Sequence, residues 1–428
     1  MSSTSELRAR SRTILPSLWA FAFLSYLLRT NIAVAQQYMG RELAWSDTQI
    51  GYVFTAFLVG YTIFQVPAGM LGDRFGPRIV LAASGVAWGA TTLLTGLVPG
   101  LLVKGIALSL TAALAIRFLH GIGEAATYPV AMTAVADWFP PREHAFVNSV
   151  IFTGSTLGAA FAPPLVAHIM SGLGWRATFY STAISPVLLA AFWWQQTKGR
   201  PHSGSKRKAA PRMEEWRRLF WRRNVFILCS SYFFYCYSIS IFVYWLFKYL
   251  VDVRHLSIVS SGWATSLPWI VASVAVPLFG YLSGRVSIRV GMLAGRRLVA
   301  TSCLVASALL MFVGAGAQSI ALAMGAIALS VGLLFSTESS YWSTAIEIAG
   351  EDAGAASGLM NLAGNLGGVL STLLVPLLVQ RFGWYEALLS GSLFAILGAI
   401  VWFWLRSEPP VDREPVPLAP AIARLPSH

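Results

Sequence analysis

Charged side chains are scarce in this sequence of 428 residues. Only 11% of the residues are Asp, Glu, Lys or Arg, whereas an average soluble protein has roughly 25%. Hydrophobic residues make up 56% of the chain, and its mean hydropathy is +0.63. This balance excludes an ordinary series of soluble domains and predicts an all-α integral membrane protein.

Cysteines are few, and the common enzyme motifs are absent. Cys229, Cys236 and Cys303 each lie in an apolar run, which gives neither a disulfide framework nor a metal-ligand spacing. The sequence contains no HExxH or GxSxG pattern and no group of His and Asp residues with ligand spacing. It therefore predicts a protein that is not an enzyme, with no catalytic residues, no cofactor and no metal.

Twelve long apolar segments fill most of the chain, and we number them spans 1 to 12. They lie near residues 14–37, 50–71, 79–98, 102–130, 143–169, 175–196, 224–250, 259–282, 293–315, 318–346, 353–379 and 384–405. Each is long enough to cross a bilayer as a helix of roughly 20 residues. A basic break at 197–223 divides them into an N-terminal six-helix bundle, 14–196, and a C-terminal one, 224–406. A polar tail, 1–13, precedes the bundles, and a Pro-rich tail, 407–428, which is predicted to be disordered, follows them.

Lysine and arginine are distributed unevenly between the two sides of the predicted membrane. With the N-terminus in the cytoplasm, 23 of these residues fall on the cytoplasmic side and 6 on the outer side. The positive-inside rule then places both termini in the cytoplasm. The formal charge of +13 is mainly a topology signal with some attraction to anionic membrane lipid, so no nucleic-acid partner is expected. We expect a multi-pass monomer of the cell (inner) membrane.

A turn motif repeats in the two halves of the chain. GMLGDRFGPR at 69–78 aligns with GYLSGRVSIR at 280–289, and Gly284 stands where the first copy has Asp73. The two copies are about half a chain apart. The repeat therefore predicts two halves of related structure.

Ionisable residues inside the apolar spans are the first candidates for a site, because a charge in the bilayer costs a few kcal/mol or more. The clearest are Arg29 in span 1, Arg117 and Glu124 in span 4, and Glu338 in span 10; His120 in span 4 is weaker. Each could instead belong to a structural charge network, and His120 could be a hydrogen-bonded core or gating residue.

Arg29 predicts anion binding, and the two charged residues Arg117 and Glu124 of span 4 each predict a further partner. The planar guanidinium of Arg29 suits a carboxylate, although a snorkelling arginine is the alternative. Arg117 and Glu124 share one helix face but lie about 10 Å apart by helical rise, which is too far for a tight pair. Each therefore requires substrate, water or a group on a facing helix.

Polar side chains in three other spans complete the candidate site. Asn361 and Asn365 are one turn apart in span 11, where they could bind substrate or hydrogen-bond between helices. Trp342 lies one turn after Glu338 and could form a wall of the site or simply pack. Tyr61 in span 2 is a possible hydrogen-bond donor.

The motif at 69–78 resembles the loop between spans 2 and 3 of the major facilitator superfamily of secondary transporters. The resemblance implies twelve spans in two pseudo-symmetric bundles and a site that opens alternately to each side. It also implies a gating role for the turn: Asp73, flanked by Arg74 and Arg78, would lock the cytoplasmic gate in the outward-open state.

Four further motifs resemble the anion:cation symporter family, which includes sugar-acid permeases and vesicular glutamate and sialic acid carriers. They are RTNI in span 1, RFLxGxGEA in span 4, KYLVDVRHLS after span 7 and GLMNxxGNLGG in span 11. The resemblance implies a small organic anion and protons as partners. It implies that Arg29 binds the carboxylate of the substrate, that Glu124 carries a proton and that Arg117 partners Glu124 or a neighbouring acid. Tyr61 and the two asparagines of span 11 would face the cavity.

One position departs from the family pattern. Well-coupled sugar-acid members resemble this chain but have an aspartate immediately before the arginine of span 1, where this chain has Leu28. Because a proton site is lost there, we hypothesise that Glu338 replaces it. His120 is the other candidate proton carrier.

The leading functional hypothesis is a secondary active transporter that carries a small organic anion, a carboxylate of sugar-acid type, together with protons. The alternative is an anion exchanger or a drug:proton antiporter of the same superfamily. Drug antiporters usually resemble one another in a GPxxGG pattern in span 5. Here the span reads GSTLGAAFAPPL at 154–165, which is not that pattern.

Overall fold

A computed structural model describes residues 2–139, 143–198 and 213–406. Within these ranges the chain is helical, with no β-strand beyond one isolated bridge. The helices are Ser2–Leu43, Asp47–Phe75, Pro77–Leu97, Ile106–Glu124, Thr127–Trp138, His144–Leu173, Trp175–Gln196, Met213–Phe220, Arg223–Asp252, Ile258–Val290, Met292–Gly316, Ile320–Ser336, Glu338–Ala349, Ala353–Phe382 and Trp384–Trp402. The predicted disordered tail at 407–428 and most of the predicted linker, 199–212, lie outside the described residues.

All twelve predicted spans are helical, which confirms the layout of two six-helix bundles. Eleven of them are long and apolar enough to cross a membrane. The remaining one, span 6, is the 22-residue helix Trp175–Gln196. It packs closely along span 3: a Cβ at Gly85 would lie 2.7 Å from the carbonyl oxygen of Pro186. Its own polar residues are thereby partly covered by a neighbouring helix.

Spans 4 and 10 are each interrupted next to a candidate acid, which the sequence did not predict. The first helix of span 4 ends at Glu124, and the next begins at Thr127. In span 10 the break is at Thr337, and Glu338 begins the second helix. Broken helices at mid-depth are typical of transporter sites, because the interruption places polar groups where a cavity can use them.

The turns after spans 2 and 8 are equivalent but do not align as the sequence repeat predicts. Each contains a glycine with positive φ, 80° at Gly76 and 97° at Gly291, a conformation that side chains with a Cβ rarely adopt. Span 8 continues to Val290, so its turn comes about one helical turn later than the alignment of 69–78 with 280–289 implies.

Close packing of spans 2 and 4 fixes the helices that carry the candidate site. A Cβ at Gly60 would lie 2.3 Å from the carbonyl oxygen of Phe118, and one at Gly121 would lie 2.2 Å from that of Phe57. Only glycine permits this approach of two backbones, as at other helix crossings in membranes. The contact sets the rotation of both helices and therefore the direction of their polar side chains.

The two bundles are packed against each other at one of their ends. We call this end the far face, which carries the loops between spans 1 and 2 and between spans 7 and 8; the near face carries the loop between spans 2 and 3. Near the far face Gln36 Nε2 donates to the carbonyl oxygen of Tyr244 at 2.7 Å, and Gln37 Nε2 donates to Asp252 at 2.8 Å. A Cβ at Gly51 would lie only 2.4 Å from the carbonyl oxygen of Thr372 in the other bundle. The far face is therefore closed.

Candidate functional site

Arg29 and Glu124 form an ion pair in the interior of the N-terminal bundle. Both Nε and Nη2 of Arg29 donate to Oε1 of Glu124, at 3.0 and 2.5 Å. The glutamate side chain is 1% exposed and that of Arg29 is 12% exposed. Arg29 lies near the middle of span 1, so the predicted partner of Glu124 on a facing helix is this arginine.

The two carboxyl oxygens of Glu124 have different surroundings. Oε1 accepts a third hydrogen bond from the Ser25 hydroxyl, 3.2 Å away and one turn before Arg29 in span 1. Oε2 is buried without a hydrogen-bond partner. The carboxylate is thus bound through one oxygen, and the other oxygen is available for a proton.

Aromatic rings enclose the guanidinium of Arg29. Its Cζ lies 4.8 Å from the ring centre of Tyr26, 5.2 Å from that of Phe57 and 4.8 Å from that of Tyr61. Such contacts are worth about 0.5–2 kcal/mol each, the larger value applying where water is excluded. They hold the positive charge in place without neutralising it, so Arg29 still requires an anion.

Arg117 is buried, and among the described residues it forms no ion pair within 4 Å with Glu124 or another acid, so the pairing that the family resemblance implied stays a prediction. Its Nε and Nη2 are buried without hydrogen-bond partners. Its Cζ instead lies 4.8 Å from the ring centre of Phe57, which also contacts Arg29. A guanidinium with two unused donors at this depth is a second possible anion contact.

His120 faces the same interior. Its Nδ1 lies 2.8 Å from Thr91 Oγ1, and its Nε2 lies 3.8 Å from Glu124 Oε2. The second distance is too long for a hydrogen bond. The histidine therefore lies beside the free oxygen of Glu124 but does not bind it directly.

Glu338 is held by neutral donors in the C-terminal bundle. The hydroxyls of Tyr232 and Tyr235 each donate to its Oε1 at 3.1 Å, and Trp342 Nε1 donates to Oε2 at 2.6 Å. Trp342, predicted as a wall residue, is 38% exposed. All three hydrogen-bonding partners of this carboxyl group are uncharged, whereas Glu124 is bound by the charged Arg29.

A chain of side chains joins Tyr61 to the opposite bundle. Gln65 Nε2 donates to the Tyr61 hydroxyl at 3.3 Å, and Asn361 Nδ2 donates to Gln65 Oε1 at 2.7 Å. One turn further along span 11, Asn365 Nδ2 is buried without a partner. The two predicted asparagines thus have different surroundings, and one of them bridges the bundles.

Sequence reasoning missed several residues of this arrangement. Gln65 is a polar residue one turn after Tyr61 in an apolar span, and Ser25 is one turn before Arg29, so helical spacing could have identified both. Tyr232 and Tyr235 lie in a span rich in aromatic residues, and nothing in the sequence distinguishes them from packing residues.

The predicted gating residues lie together at the near face. Asp73 accepts a hydrogen bond from the Thr133 hydroxyl at 3.2 Å. Arg74 Cζ lies 5.2 Å from the ring centre of Phe75, and Arg78 stacks on Trp194 at 4.0 Å. Arg78 Nε also donates to the Trp194 carbonyl oxygen at 3.2 Å. Arg74 and Arg78 thus each pack against an aromatic ring near the end of a helix at the near face.

Long apolar helical spans that are closed at one face around buried charged residues are the arrangement of a multi-pass membrane transporter. Comparison with known proteins agrees. Residues 18–372 match the profile of the Major Facilitator Superfamily. The chain belongs to the major facilitator superfamily.

Similar proteins and solved structures extend this comparison. The chain is 30% identical to a probable sulfoacetate transporter of Cupriavidus necator over 91% of this chain and 92% of that protein. It is 29% identical to the hexuronate transporter of Bacillus subtilis over 90% and 92% of the two chains. A bacterial homologue of the human lysosomal transporter Spinster, in an inward-facing and occupied conformation, superposes with a TM-score of 0.78 at 16% identity over 92% and 96%. A D-xylose-proton symporter superposes with a TM-score of 0.71, also at 16% identity, over 92% and 97%. At these identities the two structures show the fold alone.

Proposed function

We propose that this transporter carries a small organic anion, a carboxylate of sugar-acid type, together with protons. The observation that carries the proposal is the ion pair of Arg29 and Glu124, in which two nitrogens of the arginine bind one carboxylate oxygen. A guanidinium in this geometry can bind one carboxylate in this way at a time. The carboxylate of a substrate must therefore compete with Glu124.

Competition for Arg29 couples the proton to the substrate. When Glu124 takes a proton, for which Oε2 is free, it loses its charge and its hold on the arginine. Arg29 then binds the substrate carboxylate. A substrate without the proton would leave two anions at one cation, which is costly in a site that excludes water. The loaded and the empty site are thus both favoured over the half-loaded one.

The remaining candidates form the walls of the site. Tyr61 contacts Arg29, and Gln65 continues from it to Asn361 in the other bundle. Arg117 offers two unused donors, and Trp342 and Asn365 line the facing bundle. A substrate bound to Arg29 would contact both bundles, so its binding would favour their closure.

The closed far face assigns a direction to this conformation. If both termini lie in the cytoplasm, as the charge distribution predicts, the far face is the outer one and this conformation is closed to the outside. Asp73, Arg74 and Arg78 would then act in the opposite state, in which the near face closes.

The names of the relatives support the substrate class. They include probable transporters of sulfoacetate and L-galactonate and transporters of hexuronate and D-galactonate. All four named substrates are organic acids, so they share the carboxylate that Arg29 is proposed to bind.

Uptake by the purified chain in liposomes tests the proposal. An inward proton gradient should drive accumulation of a labelled hexuronate. Glu124→Gln should abolish that accumulation but keep exchange of internal for external substrate, because an amide carries no proton and does not bind Arg29 as an anion. Glu386→Gln, a change at an exposed acid in the first turn of span 12, is the matched control and should accumulate normally.

Three results would contradict the proposal. If the unmodified chain exchanges organic acids but never responds to the gradient, it is an anion exchanger. If it moves cationic drugs and no acids, it is an antiporter. If Glu124→Gln accumulates substrate normally, the proton site lies elsewhere.

A further inference from the structure

We propose that Glu338 is a second proton acceptor that matches the number of protons carried to the number of negative charges on the substrate. The inference rests on the proposed function and extends it to the class of substrate. It implies that this chain carries monoanions with one proton and dianions with two.

The first observation is the chemistry around Glu338. Its carboxyl group is partly buried and receives hydrogen bonds from Tyr232, Tyr235 and Trp342, all of them neutral. A carboxyl group with such partners keeps its hydrogen bonds in either protonation state, since a protonated group still accepts through its oxygens. Glu338 can therefore change its charge without a collapse of its surroundings.

The second observation is the balance of charge at mid-depth. Arg29 and Glu124 neutralise each other directly. Arg117 packs on Phe57 instead, and Glu338 has only neutral donors. With His120 neutral, the four formal charges sum to zero in the empty site. Each negative charge that the substrate adds must be matched by a proton if the occluded site is to remain neutral.

The third observation is position. Tyr26 of span 1 stacks on Arg29, with Cζ 4.8 Å from its ring centre, and its ring meets Trp269 of the opposite bundle at 6.4 Å. Trp269 in turn packs on Phe335 of span 10, three residues before Glu338, with ring centres 5.0 Å apart. A row of aromatic rings thus leads from Arg29 to the segment of the other bundle that carries Glu338.

The other ionisable groups around Glu338 are not suited to accept the second proton. Span 7 presents Tyr232, Tyr235 and Cys236, span 10 presents Tyr341, and span 1 presents Tyr26. Phenols and a thiol are neutral at physiological pH unless they are strongly perturbed. Glu338 is therefore the member of this group that can take up a proton as a dianion enters.

The consequence is that the number of protons carried per substrate molecule depends on the charge of the substrate. A monoanion displaces Glu124 from Arg29 and brings the proton that Glu124 takes. A dianion places a second negative charge in the site, and Glu338 takes a second proton. Both substrates then cross the membrane without net movement of charge.

The test measures proton and substrate fluxes together in liposomes with the membrane potential clamped at zero. A hexuronate is the monoanionic probe, and sulfoacetate, with a carboxylate and a sulfonate, is the dianionic probe. The unmodified chain should move one proton per hexuronate and two per sulfoacetate. Glu338→Gln should keep one per hexuronate, because Glu124 still has to release Arg29, and should fall to one per sulfoacetate. Glu338→Asp should restore two.

Glu347→Gln is the matched control, since Glu347 lies in the same helix as Glu338 and pairs with Arg296. Glu347→Gln should leave the number of protons per hexuronate and per sulfoacetate unchanged. An unchanged ratio of one proton per hexuronate in Glu338→Gln shows that the Glu338→Gln protein is folded. The inference is overturned if Glu338→Gln still moves two protons per sulfoacetate. It is also overturned if the unmodified chain moves only one proton per sulfoacetate, or if it carries hexuronate but no sulfoacetate. If neither acid is accumulated by any variant, it is the proposed function that fails.

Discussion

Lys248 of span 7 forms an ion pair with Asp47 at the start of span 2, with Nζ 3.2 Å from Oδ1, and thereby joins the two bundles at the far face. The same Nζ lies 2.8 Å from Asp252, one turn further along span 7, and Asp252 accepts a hydrogen bond from Gln37 of span 1. Two carboxylates and one ammonium, partly screened from water, thus form a clasp across the interface. Because this interface must part for the far face to open, the clasp favours the conformation seen here.

Lys248→Met should release this clasp. Removal of the ammonium loses an ion pair worth on the order of 1 kcal/mol at this partial exposure, or roughly a fivefold change in the ratio of closed to open far face. Asp47 and Asp252 would in addition repel each other. Electron-electron double resonance between spin labels at positions 41 and 253, in a chain without its native cysteines, measures the two populations.

Lys104 provides the control for that experiment. It is exposed at the same end of the molecule, so Lys104→Met changes the net charge equally without touching the interface. An unchanged distance distribution in Lys248→Met would show that apolar packing alone holds the far face closed.

Gly51→Ala should prevent closure of the far face by steric conflict. The added methyl group would lie 2.4 Å from the Thr372 carbonyl oxygen, a backbone atom that cannot rotate away. One turn further, the hydroxyls of Thr55 and Thr372 are 2.8 Å apart, which fixes the two helices at this depth. We expect at least a tenfold slower uptake by a folded protein, and a larger open population with the same pair of spin labels.

Gly325→Ala is the matched substitution, because a Cβ at Gly325 would meet no atom within 4 Å. It should transport normally. If Gly51→Ala transported as fast as this control, complete closure at span 11 would not be part of the transport cycle.

The sequence predicts the spans well because lipid imposes them directly. A segment that crosses the bilayer must be apolar and must satisfy its own backbone, so the twelve spans follow from hydrophobic runs alone. The same physics identified Arg29, Glu124 and Glu338 as exceptional, since each is a charge inside such a run.

The partners of these residues could not be predicted in the same way. The bond between Arg29 and Glu124 joins positions 95 residues apart, and it depends on how spans 1 and 4 are rotated about their axes. An almost uniformly apolar span does not encode that rotation. The breaks at Ala125 and Thr337 were missed for a similar reason, since neither position contains proline or glycine.

Arg29→Lys should reduce uptake efficiency roughly a hundredfold. A lysine keeps the charge but is a compact donor that cannot bind a carboxylate through two nitrogens of a plane. Leaving a buried acid poorly paired costs about 3 kcal/mol or more. Initial rates of hexuronate uptake over a range of concentrations measure the change in uptake efficiency. We expect Arg29→Lys to lose both accumulation and exchange.

Arg176→Lys is the control for that substitution. Arg176 also binds an acid, Glu42, but does so in the loop region at the far face, where Glu42 is half exposed. Its replacement should change uptake less than threefold. Equal effects of the two substitutions would show that Arg29 acts through general stability rather than through substrate binding.

The amide pair of Gln65 and Asn361 should couple the two bundles measurably. Asn361 Nδ2 lies 2.7 Å from Gln65 Oε1, on the near-face side of Arg29, away from the clasp at Lys248. Gln65→Ala and Asn361→Ala each remove one partner of this bond and leave the other amide partly unsatisfied, which costs about 1 kcal/mol. Because both changes remove the same bond, the double variant should cost little more than either single one.

A double-mutant cycle on the affinity for hexuronate measures this, with Gln318→Ala, an exposed glutamine, as the control. Strictly additive losses would mean that the two amides act independently and that the bridge across the bundles plays no part in holding the substrate.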